Sequence, residues 1–162
     1  MQKNKKYYEI KDGGVTLYWD MTANMLVDID VQPGVKTVNL FVEKTVSNYP
    51  YSTYKKSLYS TYRIMLDKVY KQFPDVEELN IGDGISTVKI RNDMFPNVKL
   101  VTSENDRFVG GASMLIEVPH NMERKLLNTF YMQSSMELDL KNIKYIDDYA
   151  LNGCLAHAAI NC

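Results

Sequence analysis

Four carboxylates lie in two close pairs that could perform acid–base chemistry or bind calcium. Asp28 and Asp30 are separated by one residue, and Asp147 and Asp148 are adjacent. The first pair alternates on one face of a predicted strand, and the second falls at a predicted turn, where Asp commonly accepts hydrogen bonds from backbone N–H groups. We therefore expect both pairs to have a structural role.

The residues that usually build metal, phosphate or nucleophile sites do not have the required spacing. His120 and His157 are 37 residues apart, and neither belongs to a set of cysteines and carboxylates with the spacing of a zinc site. Gly82-Asp83-Gly84 and Gly110-Gly111 are too short for a phosphate-binding loop and predict turns. No Gly-x-Ser-x-Gly motif is present. We therefore predict a protein that is not an enzyme, with no catalytic residue, metal or cofactor.

Tyrosine is abundant and is concentrated in one stretch of the chain. Six of the twelve tyrosines fall between residues 49 and 70, together with Lys55, Lys56 and Arg63. Amphipathic side chains of this kind suit interfaces, although some of them also cover cores. The candidate interaction surface consists of Tyr49, Tyr59, Tyr70, Lys55 and Lys56. The alternatives are ordinary exposed residues, peptide binding or sugar stacking, and RNA binding, which the net charge disfavours.

Composition places the chain among ordinary globular proteins. Its 162 residues are 45% hydrophobic and 24% charged, which predicts a single domain over residues 1–162. The net charge of -1 provides no general attraction to nucleic acid or to an anionic membrane. No apolar run approaches the roughly 18 residues of a membrane span, and no signal peptide is visible. As written, the chain is expected to be cytoplasmic, or secreted or at the cell surface if the native chain is longer.

The predicted elements divide into an N-terminal β region, residues 1–50, and a helix with irregular repeats, residues 51–162. An Asp-Gly-Gly turn at 12–14 lies between two β-prone runs and predicts a hairpin. Apolar residues then recur every three or four positions from Tyr51 to Phe73, which predicts a long amphipathic helix at about 51–73.

Short segments recur along the chain. Phe73-Pro-Asp-Val76 is repeated 22 residues later as Phe95-Pro-Asn-Val98, and Pro33–Leu40 matches Asp83–Ile90 at an offset of 50. Such units cannot bury their apolar side alone, so we expect them to stack as a solenoid. The repeat residues predicted to be mostly buried are Val76, Leu79, Ile81, Ile85, Val88, Leu138, Leu140, Ile143 and Ile146.

The segment from Leu138 to Cys154 resembles a BspA-like leucine-rich repeat of bacterial proteins, with Leu151 in place of the family's usual Phe. The resemblance is good over 137–155, fair over 73–103 and leaves the register of 104–136 open. It implies an α/β fold: a right-handed solenoid of short parallel strands with the N-terminal hairpin and the helix. It also implies a non-catalytic leucine-rich-repeat protein-protein interaction module of unknown partner. The alternative is a glycan- or host-surface-binding adhesin fragment of the same fold.

The C-terminal repeat leads to a further expectation. Only seven residues follow Leu155, and they do not form the polar unit that closes a stack of repeats. We therefore expect a homodimer through the C-terminal repeat, with closure of the monomer by Ile160 as the alternative. Cys154 and Cys162 are expected to be a buried and a terminal thiol, with a disulfide as the less favoured alternative.

Overall fold

A computed structural model describes residues 7–43, 62–119 and 123–159. Only the backbone is described for residues 157–159. Regular structure within these ranges is almost entirely β. The strands are β1 (Tyr7–Asp12), β2 (Val15–Asp20), β3 (Met25–Val31), β4 (Thr37–Leu40), β5 (Tyr62–Met65), β6 (Glu78–Ile81), β7 (Ile85–Lys89), β8 (Leu100–Ser103), β9 (Phe108–Gly111), β10 (Met114–Glu117), β11 (Arg124–Asn128), β12 (Glu137–Asp139), β13 (Ile143–Ile146) and β14 (His157–Ala159). A 3-10 turn spans Asn92–Met94.

The described strands form four sheets. The first has the order β1-β2-β3-β5-β7, antiparallel from β1 to β3 and parallel from β3 to β7. The second, β4-β6-β8, is entirely parallel. In the third, β13-β11-β10-β9, only the β11–β13 pair is parallel. A parallel pair, β12-β14, is the fourth.

The hairpin predicted at the start of the chain is confirmed. Gly13 and Gly14 connect β1 to β2 with φ of 55° and 87°, the left-handed conformation that a two-residue hairpin turn requires. The following strand alternates between buried and half-buried residues, and Leu17 and Trp19 are completely buried. The period of two thus directs one face of the hairpin into the core.

The 22-residue recurrence corresponds to neighbouring strands of the parallel β4-β6-β8 sheet. Asn80 of β6 lies beside Thr102 of β8, 22 residues later. The rings of Phe73 and Phe95 consequently approach to 5.9 Å between centroids. Strands β4 and β6 pair with an offset of 41 residues. The segment with Pro33 before β4 therefore corresponds to the segment with Pro74 before β6.

Two apolar clusters form the interior. The larger one lies among the first two sheets and the β8–β10 region; its largest fully buried side chains include Trp19, Phe95 and Phe130. The smaller one lies under the C-terminal strands and contains Ile116, Leu126, Met132, Leu138 and Ala150. The C-terminal part of the chain therefore has its own, smaller apolar interior.

The long helix predicted at about 51–73 is wrong where the structure describes this segment. Residues 62–65 form β5, between β3 and β7, and residues 66–73 continue without regular structure; residues 51–61 lie outside the described ranges. Ile64 and Leu66 are completely buried, which is the alternation of a strand. Because β5 pairs with a strand on each side, this part of the chain is a strand despite the helical spacing of its apolar residues. Val69 and Phe73 pack against the core from a segment without regular structure.

The α/β solenoid is wrong as well. The described strands form mixed sheets, with antiparallel pairs at β1–β3 and β9–β11, and residues 7–43, 62–119 and 123–159 contain no long helix. Two-residue connections such as Gly13-Gly14 reverse the chain locally, whereas a stack of repeats needs a crossover between parallel strands.

Burial of the repeat residues divides along the chain. Six of the nine are buried: Val76, Leu79, Ile81, Ile85, Val88 and Leu138. Leu140 and Ile143 are only half-buried, and Ile146 is 48% exposed. The apolar pattern therefore identified core positions well near β6 and β7 and poorly in β13.

No helix within the described ranges is both long enough and apolar enough to cross a membrane.

A close contact between β8 and β9 generates a prediction. A Cβ added to Gly110 would overlap the backbone carbonyl of Val101, whereas one added to Gly111 would meet only the end of Met114 at 3.9 Å. We expect Gly110→Ala to lower the free energy of unfolding by about 1–3 kcal/mol, because backbone atoms must shift. The matched Gly111→Ala should cost less than about 1 kcal/mol. Urea unfolding measures both, and equal losses would contradict the contact.

Candidate functional site

An arginine and two exposed tyrosines from three separated parts of the chain form a cluster at the surface. Tyr70 belongs to the irregular segment after β5, Arg91 follows β7, and Tyr149 lies in the turn after β13. The Arg91 guanidinium carbon is 5.0 Å from the ring centroid of Tyr70 and 5.4 Å from that of Tyr149. These are cation–π distances. We call this arrangement the aromatic–arginine cluster.

A carboxylate fixes the orientation of the guanidinium. The Nε of Arg91 donates to Oδ1 of Asp93 at 3.0 Å, and its second nitrogen donates to Oδ2 at 3.3 Å. Hydrogen bonding to Asp93 raises the pKa of Arg91 above its usual value, and burial acts in the opposite direction. The guanidinium is therefore a permanent and oriented cation between two tyrosines that are 76% and 58% exposed.

A buried amide positions the turn that carries Tyr149. Asn92 is completely buried, and its Nδ2 donates to the carbonyls of Ala150 and Asn152, at 2.9 Å each. Its Oδ1 accepts from Nδ2 of Asn128 at 2.9 Å and from the backbone N–H of Thr129 at 3.3 Å. Because Asn92 lies between Arg91 and Asp93, the same short turn holds the cation and the distant tyrosine.

Further exposed apolar side chains lie in the same stretch of the chain as Tyr149, between residues 145 and 155. Five of them are between 42% and 63% exposed: Tyr145, Ile146, Tyr149, Leu151 and Leu155. We call these five residues the C-terminal patch. Such a concentration of exposed apolar and aromatic side chains in one segment is typical of an interaction surface.

A lysine next to Tyr70 in the sequence bridges the carboxylate pair in β3. Nζ of Lys71 lies 3.0 Å from Oδ1 of Asp28 and 2.8 Å from Oδ1 of Asp30, and Tyr18 donates to the second oxygen of Asp30 at 2.9 Å. Hydrogen bonding to Lys71 lowers the pKa of Asp30. Burial and then the bond to Asp30 raise the pKa of Tyr18 to about 12. Asp28 and Asp30 therefore form part of a network of ion pairs and hydrogen bonds with Lys71 and Tyr18.

The second carboxylate pair is divided between two environments. Asp147 lies 3.5 Å from Nζ of Lys89, and its backbone N–H donates to the carbonyl of Leu126. Asp148 is exposed in the following turn. Within the described part of the chain, no three His, Cys, Asp or Glu residues are grouped closely enough to hold a metal ion.

The structure describes only part of the interaction surface suggested by the sequence. Tyr70 is the most exposed large hydrophobic residue of the part that the structure describes, whereas Tyr49, Tyr59, Lys55 and Lys56 lie outside it. Sequence reasoning missed Arg91 and Tyr149, which join Tyr70 only in the folded chain. His120 also lies outside, and Cys154 is half-buried with a free thiol.

Comparison of the chain with protein-family models, curated proteins and solved structures finds no match in any of the three.

The Asn92 hydrogen bonds generate a stability prediction. We expect Asn92→Ala to lower the free energy of unfolding by about 2–4 kcal/mol, because buried donors and acceptors lose their partners and a cavity remains. Asn97→Ala is the matched control, since Asn97 is exposed and donates one bond, to the carbonyl of Pro74. It should cost less than about 1 kcal/mol. Urea denaturation compares the two, and a similar loss in both would show that the buried network is unimportant.

The lysine between the two carboxylates generates a pH-dependent prediction. A lowered pKa means that Asp30 stabilises the fold above its unfolded pKa of about 3.9, and that this contribution disappears as the pH falls through the folded pKa. We expect Lys71→Met to cost about 1 kcal/mol at pH 7, because ion pairs of this exposure contribute little, and clearly less as the pH falls below 4 and Asp30 becomes protonated.

The matched control is Lys68→Met on the same segment, where the lysine is exposed. It should change the free energy of unfolding by less than about 0.5 kcal/mol at either pH. A Lys71→Met effect that is independent of pH would argue against the ion pairs as its cause.

Proposed function

We propose that the protein is a non-catalytic binding protein whose partner is another protein. The observation that carries the proposal is the C-terminal patch, in which five large apolar side chains are exposed and one of them, Tyr149, lies against an oriented arginine. Tyrosine and arginine are enriched at the energetic centres of protein interfaces. The ordered turn beneath them limits the conformational entropy that binding would cost.

The resemblance to BspA-like repeats over 137–155 supports the same class of function, since proteins with such repeats mostly bind other proteins. The leucine-rich-repeat solenoid does not form part of the proposal, because the sheets are mixed. The surface proposed here therefore belongs to turns and to one strand, and not to the concave face of a stack.

We also propose that the chain associates with itself through the C-terminal residues 137–155.

Nucleic acid is a poor candidate for the partner. The net charge of -1 provides no general electrostatic attraction, and the cluster's only cation is already bound by Asp93.

The test compares variants of the patch with a variant in a different sheet of the protein. Immobilised Tyr149→Ala should recover a native partner from an extract of the source cells at least tenfold less efficiently than the unchanged chain. With the purified partner, loss of an interface tyrosine should raise Kd about 30-fold. Tyr8→Ala is the matched control, since Tyr8 is also exposed but lies in β1.

A second variant separates the aromatic–arginine cluster from general apolar stickiness. Arg91→Lys keeps the positive charge but loses the planar group that stacks on the rings and binds Asp93 through two nitrogens. We expect weaker binding with an unchanged circular dichroism spectrum. Equal recovery of partner by Tyr149→Ala, Arg91→Lys and Tyr8→Ala would reject this surface.

The exposed rings also support a second candidate function, a glycan- or host-surface-binding adhesin. Sugars stack on the faces of exposed aromatic side chains, and Tyr70 and Tyr149 are both exposed in the cluster. A glycan array distinguishes the two proposals. Binding that is lost in Tyr70→Ala and retained in Tyr8→Ala would favour the adhesin.

A further inference from the structure

We infer that a second copy of this chain adds to the third sheet by pairing its own β13 antiparallel to β13. The inference rests on the self-association proposed above, and it specifies the strand, the register and the charged residues that would form the dimer. Three features support it: the backbone groups at the edge of the sheet, the exposed side chains of the strand, and the distribution of charge along it.

The first feature is the free edge of β13. Among the described strands, β13 pairs with β11 alone and lies at the end of its sheet. The N–H of Asp147 donates to the carbonyl of Leu126, so Asp147 and Tyr145 direct backbone groups toward β11. Alternate residues of a strand direct these groups to opposite sides, so those of Lys144 and Ile146 point away from the sheet.

This arrangement fixes the register of a symmetric antiparallel pair. Lys144 of one copy would exchange both backbone hydrogen bonds with Ile146 of the second copy, and the two-fold axis would repeat the exchange. Tyr145 would then lie opposite Tyr145 of the second copy, in a non-hydrogen-bonded pair with Cα atoms about 4.5 Å apart. Backbone pairing of this kind is a common way for an exposed edge to bind a partner.

The side chains of the strand fit a covered surface better than a solvated one. Tyr145 and Ile146 are each 48% exposed, although Ile146 occupies a position where the apolar pattern predicts burial. Tyr145 is also oriented, because its hydroxyl donates to Glu123 at 3.2 Å. A symmetric pair would place the two tyrosines against each other across the axis, and aromatic cross-strand pairs stabilise sheets.

The distribution of charge selects a second copy as the occupant. The exposed charges at the two ends of the strand are Lys141, two residues before it, and Asp148, two residues after it. Lys144 and Asp147 already lie within 3.5 Å of Glu123 and Lys89 of the same chain. An antiparallel copy places the lysine end of each chain beside the aspartate end of the other, at both ends of the interface. A parallel copy would place like charges together, which disfavours it.

Sedimentation velocity of the full chain at micromolar concentrations tests the inference. We expect a monomer–dimer equilibrium that weakens with added salt. Ile146→Pro removes the outward N–H, and proline is tolerated at a sheet edge when its nitrogen faces away from the sheet. It should raise the dimer Kd about 30-fold, whereas Ile146→Val should change it less than threefold.

Charge reversal provides a test that does not depend on the proline variant folding. Lys141 and Asp148 are both exposed, so Lys141→Glu or Asp148→Lys should each raise the dimer Kd about tenfold. The double variant Lys141→Glu/Asp148→Lys restores opposite charges across the axis and should recover the original Kd. Lys11→Glu is the matched control on exposed β1, and it should have no effect.

Cross-linking tests the register. In a background with Cys154→Ser and Cys162→Ser, Tyr145→Cys should form an intermolecular disulfide under mild oxidation, since the expected Cα separation suits a disulfide. Tyr8→Cys in the same background should not. A dimer that persists in Ile146→Pro and fails to cross-link would overturn the β13 register and leave self-association through other residues of the patch.

A chain that is monomeric at all accessible concentrations would overturn the inference and the self-association together. The proposal of a different protein partner would be unaffected, because that proposal depends on recovery by Tyr149→Ala and Tyr8→Ala.

Discussion

The buried amide of Asn92 is the interaction on which the arrangement of the C-terminal part depends. It is completely buried, and it bonds to Asn128 and Thr129 at the end of β11 and to the carbonyls of the 150–152 turn. Asn128 in turn donates to the carbonyl of Ile90, after β7. All buried side-chain nitrogen and oxygen atoms of the described residues have hydrogen-bond partners. Such a satisfied polar network specifies one arrangement, because any other would leave a buried group unpaired.

The surface cluster follows from this arrangement. Arg91 and Asp93 flank Asn92 in the sequence. Asn92 binds the 150–152 turn from inside the protein, and the neighbouring Arg91 contacts Tyr149 of the same turn at the surface. Tyr149 adopts a φ of 66°, which is rare for a bulky residue and which the bonds to Ala150 and Asn152 help to maintain. Folding therefore fixes the ring of Tyr149 near the guanidinium before any partner arrives.

The sequence was informative about local turns and about register, and less so about topology. The two glycines at 13 and 14 predicted the hairpin because few other residues adopt their φ values. The Phe-Pro-x-Val recurrence indicated parallel neighbours, since the 22-residue offset is that of β6 and β8. The helix prediction failed because Val69 and Phe73 reach the core at helical spacing without forming a helix. Of the cluster, Tyr70 was identified by composition, whereas Arg91 and Tyr149 meet it through long-range packing that no local pattern encodes.

The parallel β4-β6-β8 sheet has a consequence for how the chain assembles during synthesis. The β1–β2 hairpin closes over two residues, so it can form within microseconds once it emerges. Val38 and Leu40 instead become covered beside β6, some 41 residues later, and β8 follows after another 22. Closing such loops slows folding relative to local pairing. During synthesis, Val38 and Leu40 of β4 therefore stay exposed to solvent until β6 has left the ribosome. The larger apolar cluster is complete only after Phe130 has emerged.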